Sequence, residues 1–293
     1  MMEFVYKGNK YSWNEWNKEY NDFINRLELP DDFRIEINLR EHSLLQDIGY
    51  AIAFDKFAEL YSLTASARSA LLNSFNKFYD SNIISWESGY RGQLWMRFEY
   101  LKNAIVWYNS CEDYIYQIIW FAYDMYPFTI NSQEMYLKNL KECSYGKIVK
   151  KLKELENTNS DAKTLKERIN SYRNDSDVLY LREELANNFK HRANVQAIGL
   201  EDLRMIGFTI KSKDGSDSFN SRWIEPKLVD IDDVIEVTSR VHSKLIDFGK
   251  FIFNFMDTEN MFVLDENGNA IINRIQKKSK YKKIDLSSSK KYL

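Results

Sequence analysis

From Gln93 to Met125 the chain reads as one long helix that is apolar around most of its circumference. Leu101, Ile105, Tyr108, Ile115 and Ile119 recur at helical spacing, with further aromatic residues between them. A helix without a polar face has nothing to offer water, so it belongs at the centre of a packed core. Pro127 cannot continue the amide ladder and sets the expected stop. The longest apolar run, residues 115–128, is broken by Gln117 and Asp124. It is too short and too polar to span a bilayer, and no membrane role is expected.

The rest of the chain has few helix breakers, with 10 Gly and 3 Pro in 293 residues, which favours long helices over a many-stranded sheet. A hydrophobic fraction of 44% is enough to pack them. Residues 4–6 and 11–13 flank Lys7-Gly8-Asn9-Lys10 and predict a small hairpin. Residues 43–79 predict two helices with a weak break near Leu63–Ser66. A charged helix is expected over 146–170, another over 177–196 and a third over 232–256. Strands are expected at 206–211 and 222–229 around Lys213-Asp214-Gly215, and a hairpin at 261–264 and 270–275 around Asn267-Gly268. The reading is mainly α with small β-hairpins. It divides into an N-terminal hairpin and helical extension (1–90), a helical bundle (91–258), and a short hairpin with a basic tail (259–293).

Net charge is −2, so no global field draws the chain to nucleic acid. The charge is uneven: residues 274–293 hold eight Lys or Arg and one acid, net +7, leaving −9 elsewhere. That tail has almost no core-forming residues and is expected to be frayed. It either adds sequence-independent affinity for a polyanion or serves solubility. The opening residues 1–10 carry no apolar signal region, and Cys111 and Cys143 are too few for a disulfide framework, so a cytoplasmic location is expected.

One stretch, Leu181-Arg182-Glu183-Glu184-Leu185-Ala186-Asn187-Asn188-Phe189-Lys190-His191-Arg192, combines residue types that carry chemistry. On a regular helix Val178, Leu181, Leu185 and Phe189 make a core face. Glu184, Asn187, Asn188 and His191 then share another face, flanked by Lys190 and Arg192. An imidazole moves protons near neutral pH, amides orient groups, and Lys or Arg stabilises charge on phosphate. The alternative is an amphipathic helix with an ordinary solvated face.

The stretches Arg97-Phe98-Glu99-Tyr100-Leu101-Lys102-Asn103-Ala104, Glu112-Asp113-Tyr114-Ile115-Tyr116-Gln117, Asn188-Phe189-Lys190-His191-Arg192 and Val229-Asp230-Ile231-Asp232-Asp233 resemble the HEPN superfamily (higher eukaryotes and prokaryotes nucleotide-binding domains), and more narrowly its clostridial-type bacterial families. The resemblance covers roughly residues 90–258. It implies an antiparallel helical bundle that pairs as a homodimer. It also implies a metal-independent endoribonuclease of toxin–antitoxin, abortive-infection or CRISPR-linked defence. Catalytic members carry Arg, four to six residues, then His. Counted back from His191, the Arg positions are Ala186, Leu185 and Glu184. Arg182 lies nine residues back, about 180° around a regular helix. The His half of the motif is therefore present and the Arg half is missing. The resemblance matches His191 and Asn187 to the motif; taken with the polar stripe, His191, Asn187 and Asn188 are assigned to catalysis, Lys190 and Arg192 to RNA, and Glu184, Glu112 and Asp113 to support.

Glu112 and Asp113 lie on the apolar helix, where a buried carboxylate needs a partner. One of them either orients His191 or pairs with Arg192, or forms a structural salt bridge with a core Lys or Arg. His42 and His242 are isolated, Cys111 reads as core, and Asp265–Asn269 reads as a turn rather than a calcium loop. No cluster has metal-ligand spacing and no Gly-rich phosphate loop is present, so neither metal nor cofactor is expected. The expected partners are RNA, a second copy and an antitoxin or defence-system protein. The competing function is a non-catalytic helical module that binds a partner protein or senses a ligand.

Overall fold

The first described residues of the chain pair with one another ahead of the first helix. In the computed structural model, β1 (Glu3–Tyr6) and β2 (Asn9–Ser12) are antiparallel, with Glu3 opposite Ser12. Lys7 and Gly8 turn the hairpin with φ of 48° and 80°. The described residues are 3–29, 47–78, 89–191, 195–201, 209–220, 226–256, 262–264, 266–267, 270–275, 282–284 and 286. Their order is mainly helical with small two-stranded sheets. None of the described helices is long and apolar enough to cross a membrane.

Helix α1 (Trp13–Arg26) follows the hairpin directly, so Trp13 opens a helix instead of finishing a strand. Ser12 and Glu15 form a reciprocal capping box, with Ser12 N donating to Glu15 Oε2 at 2.8 Å. Helix α2 (Ile48–Phe75) is continuous, and the break expected near residues 63–66 is absent. Buried Thr64 satisfies its hydroxyl inside the helix, donating to Leu60 O at 2.7 Å, and no Gly or Pro lies near the expected break. Helix α3 (Tyr90–Ala122) is the long apolar element. It ends short of the position that Pro127 alone would set, because Asp124 takes φ 52° and turns the chain away. The expected helix over 146–170 is instead two, α5 (Tyr145–Leu155) and α6 (Ser160–Arg173), preceded by α4 (Gln133–Glu142). Ser132, Ser144 and Asn159 cap their amino ends.

Residues 176–191 stay helical but change pitch. An α-helical turn, α7 (Ser176–Leu179), leads into a π-helical segment (Tyr180–Ala186) and then α8 (Asn187–His191). Strand β3 (Val195–Ala197) pairs in parallel with β6 (Lys227–Val229). Strands β4 (Thr209–Lys211) and β5 (Asp217–Asn220) form the antiparallel hairpin around residues 213–215. The 222–229 segment was expected in that hairpin. Its described part pairs with Val195–Ala197 instead, while residues 206–208 and 222–225 lie outside the described residues. Helix α9 (Ile231–Phe255) and the antiparallel pair β7 (Phe262–Leu264) and β8 (Ala270–Ile275) are the last helix and strands among the described residues.

The contacts group into two compact units, each built from three stretches. Unit 1 holds 1–28, 66–109 and 176–243; unit 2 holds 29–65, 110–175 and 244–293. In unit 1, Phe23 of α1 stacks on Phe75 of α2 with centroids 4.0 Å apart. Arg97 of α3 is fully buried, with Nη2 2.6 Å from Asp232 Oδ1, Nε donating to Ser74 O at 2.7 Å and Nη1 donating to the Tyr6 hydroxyl. In unit 2, Thr64 of α2 touches Cys111 of α3, and Tyr172 of α6 stacks on Phe248 of α9. Leu101, Ile105, Tyr108, Ile115 and Ile119 are all 0–1% exposed, as the apolar circumference of α3 requires. Burial pushes the Cys111 thiol up to about 12, so it is a packed hydrophobe, not a nucleophile.

His242 of α9 is isolated in sequence but not in space. It is 1% exposed, with Nδ1 2.8 Å from the Tyr108 hydroxyl and Nε2 2.9 Å from Glu28 O. The Glu28 carbonyl only accepts, so Nε2 carries the proton and Nδ1 accepts from Tyr108. Burial holds the imidazole down at about 4, against a smaller opposing pull from the Glu28 carbonyl. The unfolded chain therefore takes up a proton near pH 6.5 and the folded chain near 4. Stability is complete above pH 6.5 and falls as pH drops toward 4, by about 3 kcal/mol in all. Denaturant titrations across that range should show the loss in wild type and a flatter profile in His242→Gln. An equal slope in both proteins would assign the acid loss to other groups.

Candidate functional site

The His-bearing helix departs from the regular geometry that its sequence suggests. In the π-helical segment each backbone bond spans five residues, as in Asn187 N donating to Arg182 O, so every turn holds one additional residue. Faces drawn at 100° per residue are rotated by that insertion. The inward set becomes Leu181, Arg182, Leu185, Ala186 and Asn188, and Phe189 is only half-buried, its ring edge-on to Phe98 at 5.9 Å.

This corrects the expected stripe. Asn188 is 6% exposed and donates Nδ2 to Glu184 O at 2.7 Å, so it belongs to the inner side. Asn187 donates to Glu183 Oε2 at 3.1 Å. Exposed Glu184 receives Lys227 Nζ at 2.9 Å, and that ammonium also lies 4.9 Å from the Tyr180 ring centroid. Lys190 and His191 are exposed in the last turn of α8, where the carbonyl end of the helix favours cations. Arg192 lies outside the described residues, as does His42.

None of the three positions that would hold a motif arginine offers a cation. Leu185 and Ala186 are fully buried, and Glu184 carries the opposite charge. Arg182 is 8% exposed and pairs with its neighbour Glu183 at 2.9 Å. A cation that the structure does bring beside these positions is Lys227, from a strand 43 residues downstream of Glu184. Sequence reasoning missed it, because nothing near residue 227 signals that its strand pairs beside the His-bearing helix.

The supporting carboxylates lie in the other unit and have their own partners. Glu112 is 4% exposed, pairs with Arg173 Nη1 at 2.7 Å and accepts the Tyr116 hydroxyl. A structural salt bridge, to half-buried Arg173, is thus the arrangement found for Glu112. Burial and the neighbouring Glu112 push the Tyr116 phenol well above its ordinary range. Asp113 is exposed and helps line a cavity of about 500 Å³ in unit 2, together with Gln117, Cys143, Tyr145 and Arg173. Arg173 lies over the Tyr145 ring at 4.2 Å. Burial first, and Asp113 second, hold the Cys143 thiol up at about 12, so it stays protonated at neutral pH. The cavity escaped sequence reasoning because Ser144, Tyr145 and Arg173 fall just outside the helix expected over 146–170, where no local motif marks them. Among the described residues, no three His, Cys, Asp or Glu side chains converge as metal ligands. No family model, no curated protein and no solved structure matches the chain.

Proposed function

We propose that the chain is a HEPN-like RNA-binding protein of bacterial defence or toxin–antitoxin biology, and that cleavage by it is slow or absent. The observation that carries this reading is the end of α8. Lys190 and His191 face solvent, while the three positions for the cleaving arginine hold Glu184 and two buried apolar residues. A ribose 2′-hydroxyl attacking its neighbouring phosphate needs an acid–base group and a cation on the developing charge. His191 supplies the first. Loss of the second costs about two to three orders of magnitude in rate, as removal of a comparable oxyanion donor does. A homodimer with paired His191 surfaces, and an antitoxin or other defence protein as partner, belong to the same proposal.

The test is incubation of purified protein with total RNA in EDTA, beside His191→Ala. The expected result is retained RNA with little or no cleavage, any slow cleavage being lost in the variant. Fast cleavage that survives the substitution, or no retention of RNA by either protein, would overturn the reading.

A second reading, a non-catalytic module that senses a small molecule, is favoured by the polar cavity of unit 2. Its arginine, carboxamide and carboxylate provide both charge signs and both hydrogen-bonding senses. Thermal shifts with small polar metabolites, present in wild type and absent in Arg173→Ala, would select that reading.

A further inference from the structure

Lys282 falls in the segment expected to be a solvated basic tail, yet its side chain is 0% exposed. Its Nζ lies 2.9 Å from Asp47 Oδ2 and 2.6 Å from Asp124 Oδ2, and both carboxylates are likewise 0% exposed. The Tyr50 ring centroid is 4.7 Å from the same ammonium. Tyr126 donates to Asp124 Oδ1 at 3.0 Å, and burial with that carboxylate pushes its phenol well above the ordinary range. The residues beside Lys282 are engaged too. Lys283 O accepts Asn159 Nδ2 at 3.0 Å, Lys283 Nζ sits 4.7 Å from the Phe255 ring centroid, and Ile284 is 1% exposed.

The pocket for the ammonium depends on close backbone approach. A Cβ at Gly49 would come within 2.5 Å of Phe121 O and 3.2 Å of both carboxylates, so only glycine fits beside them. Two carboxylates this deep repel each other and have lost their water. Without the lysine, one or both must be protonated or exposed. The Lys282 charge is therefore the counterion around which this part of unit 2 closes.

We propose that residues 282–284 form an intramolecular latch, with the Lys282 ammonium seated in the Asp47–Asp124 diacid, and that polyanions compete with the diacid for the basic run that contains it. Residues 274–293 hold eight Lys or Arg. In the docked state Lys282 is withdrawn from any phosphate and half-buried Lys283 lies against Phe255, so full engagement of the run requires release. The coupling is reciprocal: whatever weakens docking raises polyanion affinity, and a bound polyanion weakens docking by the same factor. The choice of RNA as the polyanion rests on the function proposed above; the latch itself does not.

The test uses the full chain and the variant Asp47→Asn/Asp124→Asn. Asparagine keeps the acceptor that Asp47 Oδ1 offers to Tyr50 N at 3.1 Å, and it tolerates the φ of 52° at position 124. Helical content by circular dichroism should be unchanged; if it falls, Asp124→Asn alone takes the place of the double variant. Hydrogen exchange at residues 282–284 should be at least about tenfold slower than in a free peptide for wild type, and should speed up by about tenfold in the variant. At low salt the variant should bind single-stranded RNA and heparin about threefold more tightly than wild type. Free-peptide exchange in wild type, or equal exchange in both proteins, would overturn the latch. Equal polyanion affinity would overturn the competition. Heparin binding with the expected difference, but no RNA binding, would uphold the competition and overturn the RNA reading instead.

Discussion

Arg97→Met should lower the unfolding free energy by about 3 kcal/mol, the low end of the range for breaking a buried ion pair from one side. Arg97 is 0% exposed and satisfies three acceptors at once: Ser74 O, the Tyr6 hydroxyl and Asp232. Methionine fills similar volume but leaves a buried carbonyl without its donor. The effect stays at the low end because Asp232 is 35% exposed and keeps Lys7 at 2.8 Å. Acid behaviour should change with it. Burial alone would raise the Asp232 carboxyl, but the Arg97 and Lys7 charges overcome this and hold it at about 2. A depressed carboxyl stabilises the fold above the unfolded value near 4, and that contribution is lost as pH falls from about 4 toward 2. Urea titrations should find this acid limb weakened in Arg97→Met. A loss under about 1 kcal/mol, with the acid limb intact, would show that the buried guanidinium does not organise unit 1.

Ile115→Ala should cost about 2–5 kcal/mol, through lost burial and the cavity left behind. Ile115 is 0% exposed, and its neighbours along α3, Cys111, Ile118 and Ile119, are equally buried. Such a site has few ways to collapse, because side chains press on it from every direction. A loss under about half a kcal/mol would mean that the helix yields at this point and is not the rigid centre of its surroundings.

The long apolar helix was legible because its signal is redundant: apolar side chains along its whole length point to one answer. The opening hairpin was legible for a different reason, the Gly and Asn of its turn: Gly8 takes φ 80°, while the φ of 48° at Lys7 has no signature in that residue type. What escaped was decided by contacts distant in sequence. Strand β6 pairs with Val195–Ala197, and the partners Lys227–Glu184, Arg173–Glu112 and Lys282–Asp124 are separated by 43, 61 and 158 residues. The cap at Asn159 divided a charged stretch that periodicity alone had run together. The π-helical segment has no sequence signature, so the faces assigned to residues 181–191 rested on a regular pitch that the chain does not keep. Lys190 and His191 are exposed, whereas Asn188, expected on the same polar face as His191, is buried.

Binding of a fluorescent single-stranded RNA, measured over a series of salt concentrations, tests the RNA-binding claim most directly. Wild type should bind at low salt, with affinity falling linearly in logarithmic terms as salt rises. Lys190→Ala/His191→Ala should weaken binding and reduce the slope by about 0.7, the contribution of one phosphate contact on a single strand. Affinity and slope identical in the two proteins would contradict a role for this helix end in holding RNA.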